Sequence, residues 1–163
     1  RASLAAGRYY AHPHNQFWPI LGELLGFDPG ADYACRLACL CAAGIALWDV
    51  LESCARAGSL DADIIESSMV PNDFAGLFRR HPQLRVVLFN GAKAEQAFRR
   101  HVLGRVPAAV WFRDAANMAV APVLIKLPST SPAHASRTYA QKLAAWRAAF
   151  VAGGVAVTDG GAR

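Results

Sequence analysis

Apolar residues first recur at helical spacing at Phe17, Ile20, Leu21, Leu24 and Leu25, on one face of a helix expected from Asn15 to Phe27. Pro19 falls in its first turn, where a missing N–H is tolerated. Asp28-Pro29-Gly30 turns the chain, and a second helix is expected from about Asp32 to Ala42, with Gly44 past its end. Ile45 to Val50 reads as a short buried strand, and Ser53 to Pro71 as loop. Asn72 or Asp73 is placed to cap a helix bearing Phe74, Leu77 and Phe78. Arg85 to Phe89 is the clearest strand; Asn90-Gly91 ends it and a helix from Ala92 to Leu103 follows. Ala109 to Phe112 and Ala121 to Ile125 are further strands. Thr138 to Phe150 is an amphipathic helix with Tyr139, Leu143, Trp146 and Phe150 on its buried stripe, stopped by Gly153-Gly154. The tail beyond is expected to fray.

Short all-apolar strands alternating with helices predict an α/β fold with a parallel sheet covered on both faces. Ligands of such folds bind beyond the carboxyl ends of the strands. The polar strand ends are Asp49, Asn90-Gly91 and Ser129-Thr130-Ser131, and they are expected to share one crevice with the loop Tyr9 to Asn15. One domain is the natural count for 163 residues.

Composition narrows the chemistry a little. The chain is 54% hydrophobic, yet no apolar run reaches the ~18 residues of a membrane span. A net charge of +5 suits a nucleic-acid partner without requiring one. Cys35, Cys39, Cys41 and Cys54 match no zinc or iron–sulfur spacing and read as buried small residues in a reducing, cytoplasmic compartment. His12 and His14 flank a proline with no carboxylate or thiolate nearby, so neither a metal nor another cofactor is expected. The chain starts at Arg1 with no room for a strand before Tyr9, which suggests an N-terminally incomplete domain.

Two segments carry candidate chemistry. Leu127 to Ala135, Leu-Pro-Ser-Thr-Ser-Pro-Ala-His-Ala, joins a strand to a helix N-terminus; it offers backbone N–H groups, the hydroxyls of Ser129, Thr130 and Ser131, and the His134 imidazole to an anion. Tyr9 to Trp18, Tyr-Tyr-Ala-His-Pro-His-Asn-Gln-Phe-Trp, puts two aromatic rings and an amide ahead of the first helix. Asn15 is placed either to orient a water or to cap that helix, and one amide oxygen serves both roles. Asp49 ends the expected strand, where a carboxylate can cap a turn. Lys93 follows Asn90-Gly91 at a strand-to-helix corner, within reach of a phosphate or solvated.

Together with Val70-Pro-Asn-Asp-Phe and Phe89-Asn-Gly-Ala-Lys, these segments resemble the uracil-DNA glycosylase superfamily, and within it the hypoxanthine (deoxyinosine) branch. The resemblance runs from Ser3 to about Phe150. It implies a three-layer α/β/α sandwich on a four-stranded parallel sheet whose first strand is missing from this chain. It also implies a metal-free, monofunctional, monomeric glycosylase acting on DNA that contains deaminated bases. Tyr10 would stack on the flipped base, Asn15 would organise the water, and Asp49 would read the base edge. Ser129, Thr130, Ser131, His134 and Lys93 would touch the DNA backbone or the leaving group. Leu127 stands where the uracil enzymes carry a catalytic histidine, which predicts weak uracil activity. The rival reading keeps the fold as a non-catalytic nucleic-acid or nucleotide-binding module.

Overall fold

Helix α1 (Phe17–Leu25) buries Ile20, Leu21 and Leu24 at 0–1% exposure, and it stops at Gly26, whose φ of +76° closes the helix by an N–H to the Gly22 carbonyl. These features come from a computed structural model that describes residues 7–55, 65–107, 112–113 and 118–158. The chain divides into two compact units, Arg1–Leu47 with Leu127–Arg163, and Trp48–Lys126. The first unit is therefore built from both ends of the chain.

In the first unit α1 is followed by α2 (Tyr33–Ala42) and, after the second unit, by α5 (Tyr139–Ala152), which packs on α1. Helix α5 starts with a full capping box: the Thr138 hydroxyl accepts the Gln141 N–H at 3.2 Å, and the Gln141 side chain accepts the Thr138 N–H at 3.0 Å. Its buried face is Lys142, Trp146, Ala149 and Phe150. Tyr139 and Leu143, expected on that stripe, are only half-buried. Helix α2 buries Leu40 alone, so its cysteines stay out of the core: Cys35 and Cys41 are exposed and Cys39 is half-buried, as is Cys54 in the second unit. The expectation of buried cysteines is corrected accordingly.

The tail does not fray through Thr158. The Thr158 N–H donates to the Leu24 carbonyl at 2.8 Å, its hydroxyl to the Glu23 carbonyl at 2.7 Å, and its own carbonyl accepts from Arg147 at 2.7 Å. Gly26 makes room for this clasp, since a Cβ there would meet the Thr158 methyl at 2.9 Å.

A second link between α1 and α5 is titratable. The Tyr139 hydroxyl donates to Glu23 Oε2 at 3.0 Å. Burial first, then the Glu23 carboxylate, push the phenol up to about 12. The folded state thus holds the proton more tightly than the unfolded chain, whose phenol ionises near 10. Stability is expected to be unaffected below about pH 10 and to fall as pH rises toward about 12. Denaturant melts across pH 9–12 should show a shallower alkaline decline for Tyr139→Phe than for the wild type.

The second unit holds the strands. β3 (Val86–Asn90) pairs with β6 (Val123–Leu127), and the Val123 N–H to Arg85 carbonyl bond at 2.8 Å joins them at their starting ends, as parallel pairing requires. This pair and the helices around it give the α/β class the alternation predicts. β6 begins after Pro122, two residues later than expected, because proline has no N–H for the ladder. β1 (Leu51–Ser53) pairs antiparallel with β2 (Val70–Pro71), and β4 (Phe112–Arg113) with β5 (Ala119–Val120). The strand expected over Ile45 to Val50 is absent: those residues are irregular and β1 starts at Leu51. Of the strand expected at Ala109 to Phe112, only Phe112 lies within the described residues.

Asp73, not Asn72, caps α3 (Phe74–Arg80), accepting the Gly76 N–H at 2.8 Å. A Cβ at Gly76 would collide with the Asp73 carboxylate, so the cap requires glycine there. α4 (Ala92–His101) follows β3. Phe74, Leu77 and Phe78 of α3 join Phe89, Phe98, Val102 and Val106 in one core. Phe98 meets Phe74 edge-on at 5.0 Å and Phe89 at 5.1 Å.

Candidate functional site

The two segments singled out from the sequence meet in the first unit. The Gln16 N–H donates to the Thr130 carbonyl at 3.0 Å, which ties the loop before α1 to the loop before α5. Trp146 of α5 fixes the second loop from the other side, its indole N–H donating to the Pro128 carbonyl at 3.2 Å.

Tyr10 is held against its own backbone preference. Its φ of +54° is the one positive value for a non-glycine among the described residues, at a cost of about 1–3 kcal/mol. Neighbouring contacts hold it there. The Tyr9 N–H donates to the Tyr33 hydroxyl and the Tyr9 carbonyl accepts from the Trp18 indole, both at 3.0 Å. The Tyr10 ring stacks on Phe17 at 3.9 Å with an interplanar angle of 23°, and Phe17 in turn meets Trp146 edge-on at 5.7 Å. Tyr10 is half-buried, a pre-oriented aromatic surface backed by the core.

Asn15 is half-buried, and its side-chain oxygen accepts the Phe17 N–H at 3.0 Å. The N-cap of α1 is Gln16, without a side-chain cap bond, so Asn15 is not the cap expected from the sequence but satisfies a first-turn N–H from one residue earlier. An amide oxygen carries two lone pairs, so one remains for a water. The Asn15 N–H closes a turn onto the His12 carbonyl at 2.9 Å, and the His14 N–H donates to His12 Nδ1 at 3.2 Å. Among the described residues no three His, Cys, Asp or Glu side chains form a metal-binding group.

The second loop uses several of the N–H groups that the sequence offered to an anion. Ser131 N–H donates to Ser129 Oγ at 3.2 Å, Ala133 N–H to Ser131 Oγ at 3.3 Å, and His134 N–H to the Ser131 carbonyl at 3.0 Å. Thr130 is fully buried, whereas Ser129, Ser131 and His134 are half-buried. The anion-facing chemistry of this loop therefore lies in hydroxyls and an imidazole more than in backbone amides.

Asp49 and Lys93 belong to the second unit. Asp49 is exposed in the irregular run before β1, and its carbonyl accepts from the Asn72 side chain at 2.9 Å. Lys93 is half-buried in the first turn of α4, which opens at Gly91 with φ +101°. Sequence reasoning missed Gln16 and Trp146 as ties between the loops. The signal was an indole N–H inside a buried helical stripe, a donor that needs an acceptor.

Comparison with known proteins bears on this arrangement. A family model described as the Uracil DNA glycosylase superfamily matches residues 1–152. Proteins of Methanosarcina barkeri and Methanosarcina acetivorans, each named hypoxanthine DNA glycosylase, are 39% and 38% identical over 93 residues. That stretch is 56% of this chain and 58% of either relative, so the chain spans little more than half their length. A solution NMR structure from Methanosarcina acetivorans, assigned as a candidate uracil DNA glycosylase, superposes with a TM-score of 0.65 at 30% identity, covering 93% of this chain and 83% of that one.

Proposed function

The chain belongs to the uracil DNA glycosylase superfamily, and from that premise we propose that it excises a deaminated base, hypoxanthine above all, from DNA. The observation that best supports the reading is the Gln16–Thr130 bond, which ties the loop carrying Tyr10 and Asn15 to the loop carrying Ser129, Ser131 and His134. A glycosylase needs a stacking surface, a water organiser and phosphate contacts in one place. Tyr10 stacks on the extruded base, worth about 1–3 kcal/mol to any base. Asn15 orients the attacking water through the free lone pair of its amide oxygen. Ser129, Ser131 and His134 grip the backbone, with Thr130 holding the loop from inside and Lys93 adding a backbone contact. Asp49 accepts the N1–H of hypoxanthine and refuses adenine, whose N1 is itself an acceptor. No lysine in these motifs is placed for a Schiff base, so the reaction stops at base release, with no cofactor, by a monomer.

The test is base release from duplexes carrying hypoxanthine, xanthine, uracil or adenine, at enzyme excess. Release of hypoxanthine with adenine untouched supports the reading; DNA binding without release of any base leaves the non-catalytic module. Within the same assay, Asp49→Asn is expected to relax discrimination against adenine, since an amide both donates and accepts. His134→Ala is expected to weaken binding and lower its salt dependence by about one counterion. Excision ratios and binding isotherms at several salt concentrations check both.

A further inference from the structure

Helix α5 buries a lysine that no described residue pairs with. Lys142 is 2% exposed and shares the buried face of Trp146, one turn earlier. Among the described residues its ammonium has neither an ion pair nor a hydrogen bond. It is the fourth residue of the helix, close to the positive end of the helix dipole, where a cation is disfavoured. Desolvation lowers its pKa below the ordinary lysine value. Burial, dipole and lack of a partner all count against the charge, and nothing described in the chain offsets them.

Its direction is informative. Helical side chains lean toward the helix N-terminus, so the Lys142 stem leads to the loop Pro128 to Thr138. That loop is fixed on one side by Trp146 at Pro128 and on the other by Gln16 at Thr130. Gln16 lies beside the same loop, and its Oε1 is buried without a hydrogen-bond partner among the described residues. Trp146, one turn on from Lys142 along the same buried face, already reaches Pro128, so this face of α5 lies against the start of the loop. The strand end feeding this loop is Leu127, apolar and 4% exposed, so it brings no charge of its own.

We infer that Lys142 stabilises the departing base, its ammonium donating to the negative charge that builds there as the glycosidic bond breaks. The inference rests on the glycosylase reading above. In that step the C1′–N9 bond cleaves with both electrons passing to the base, leaving an oxocarbenium sugar. The water oxygen bonds to C1′ and releases a proton, and the base anion takes up a proton from solvent. Lys142 remains an ammonium throughout, a fixed positive charge aimed at a charge that develops only in the transition state.

Lys142→Met keeps the length of the stem and removes the charge. Single-turnover excision of hypoxanthine at saturating enzyme is expected to fall about 100-fold, with DNA affinity unchanged. The loss should shrink for 8-azahypoxanthine, a more acidic base that leaves with less assistance. Lys142→Arg should recover part of the rate. Melting temperature should hold or rise in Lys142→Met, because an unpaired buried charge has been removed. An unchanged rate, or an equal loss for both bases, overturns the inference. So does a melting temperature well below wild type, which would make Lys142 a structural residue. If the wild-type protein releases no base at all, it is the glycosylase reading that fails.

Discussion

Asn15→Ala is expected to slow single-turnover base excision by about 10²- to 10⁴-fold, the usual range for removing a group that handles the water proton. DNA affinity should stay nearly unchanged, because a water organiser acts mainly in the transition state. The structure adds a structural cost to be separated from this. The Asn15 oxygen also accepts the Phe17 N–H at the start of α1, and losing a hydrogen bond of this kind destabilises by about 0.5–1.5 kcal/mol. Asn15→Ser divides the two effects, since a serine hydroxyl still accepts such an N–H but reaches less far toward a water. Slow excision in both variants, with Asn15→Ser as stable as wild type, assigns the side chain to chemistry. Full activity in Asn15→Ala, with folding confirmed by its melting curve, leaves it as an acceptor for the Phe17 N–H alone.

Trp146→Ala is expected to be the most damaging single change to stability, at about 3–5 kcal/mol, the range for emptying a large aromatic from a core. Trp146 is 4% exposed and holds three things at once: the edge of Phe17, a contact to Phe150 at 6.1 Å, and the Pro128 carbonyl. Trp146→Phe keeps most of the packing but leaves the Pro128 carbonyl without its donor. A loss of about 0.5–1.5 kcal/mol is expected there, the net worth of one hydrogen bond to a half-buried carbonyl. Urea melts of the two variants check this ordering. Equal losses would mean the hydrogen bond dominates. A negligible loss in both would mean that the Pro128 loop is held by something other than α5.

Helices were legible in the sequence because their apolar positions repeat: α1, α3, α4 and α5 all fall where the periodicity puts them. The strand Val86–Asn90 was equally plain as an unbroken apolar run. Ile45 to Val50 misled because five of its six residues are apolar or aromatic, yet Ile45 to Trp48 alternate between half-buried and exposed and no described residue pairs with them as a ladder. The β1–β2 pair hid behind Pro71, which argues against a strand unless the strand lies at an edge. At the candidate site, Tyr10, Asn15 and the serine-rich loop were visible as residue types in order. Their meeting depends on a backbone bond from Gln16, which no side-chain pattern announces. Lys142 was invisible for a different reason: a lysine on a helix reads as solvated, and only the packing of its neighbours reveals the burial. Thr158 escaped in the same way, as one polar residue in a small, polar-looking tail.

The first unit's two-ended construction has a consequence for how this protein is made. Helix α1 leaves the ribosome more than a hundred residues ahead of α5, which packs on its Phe17 and Glu23, and of Thr158, which holds its Glu23 and Leu24 carbonyls. At roughly 5–20 residues per second that gap lasts about 6 to 25 s. For that time the nascent chain carries an uncovered apolar helix while the second unit, continuous in sequence, is free to fold behind it. The protein's exposure to aggregation and to chaperone capture is therefore expected to be greatest during translation, before α5 has emerged.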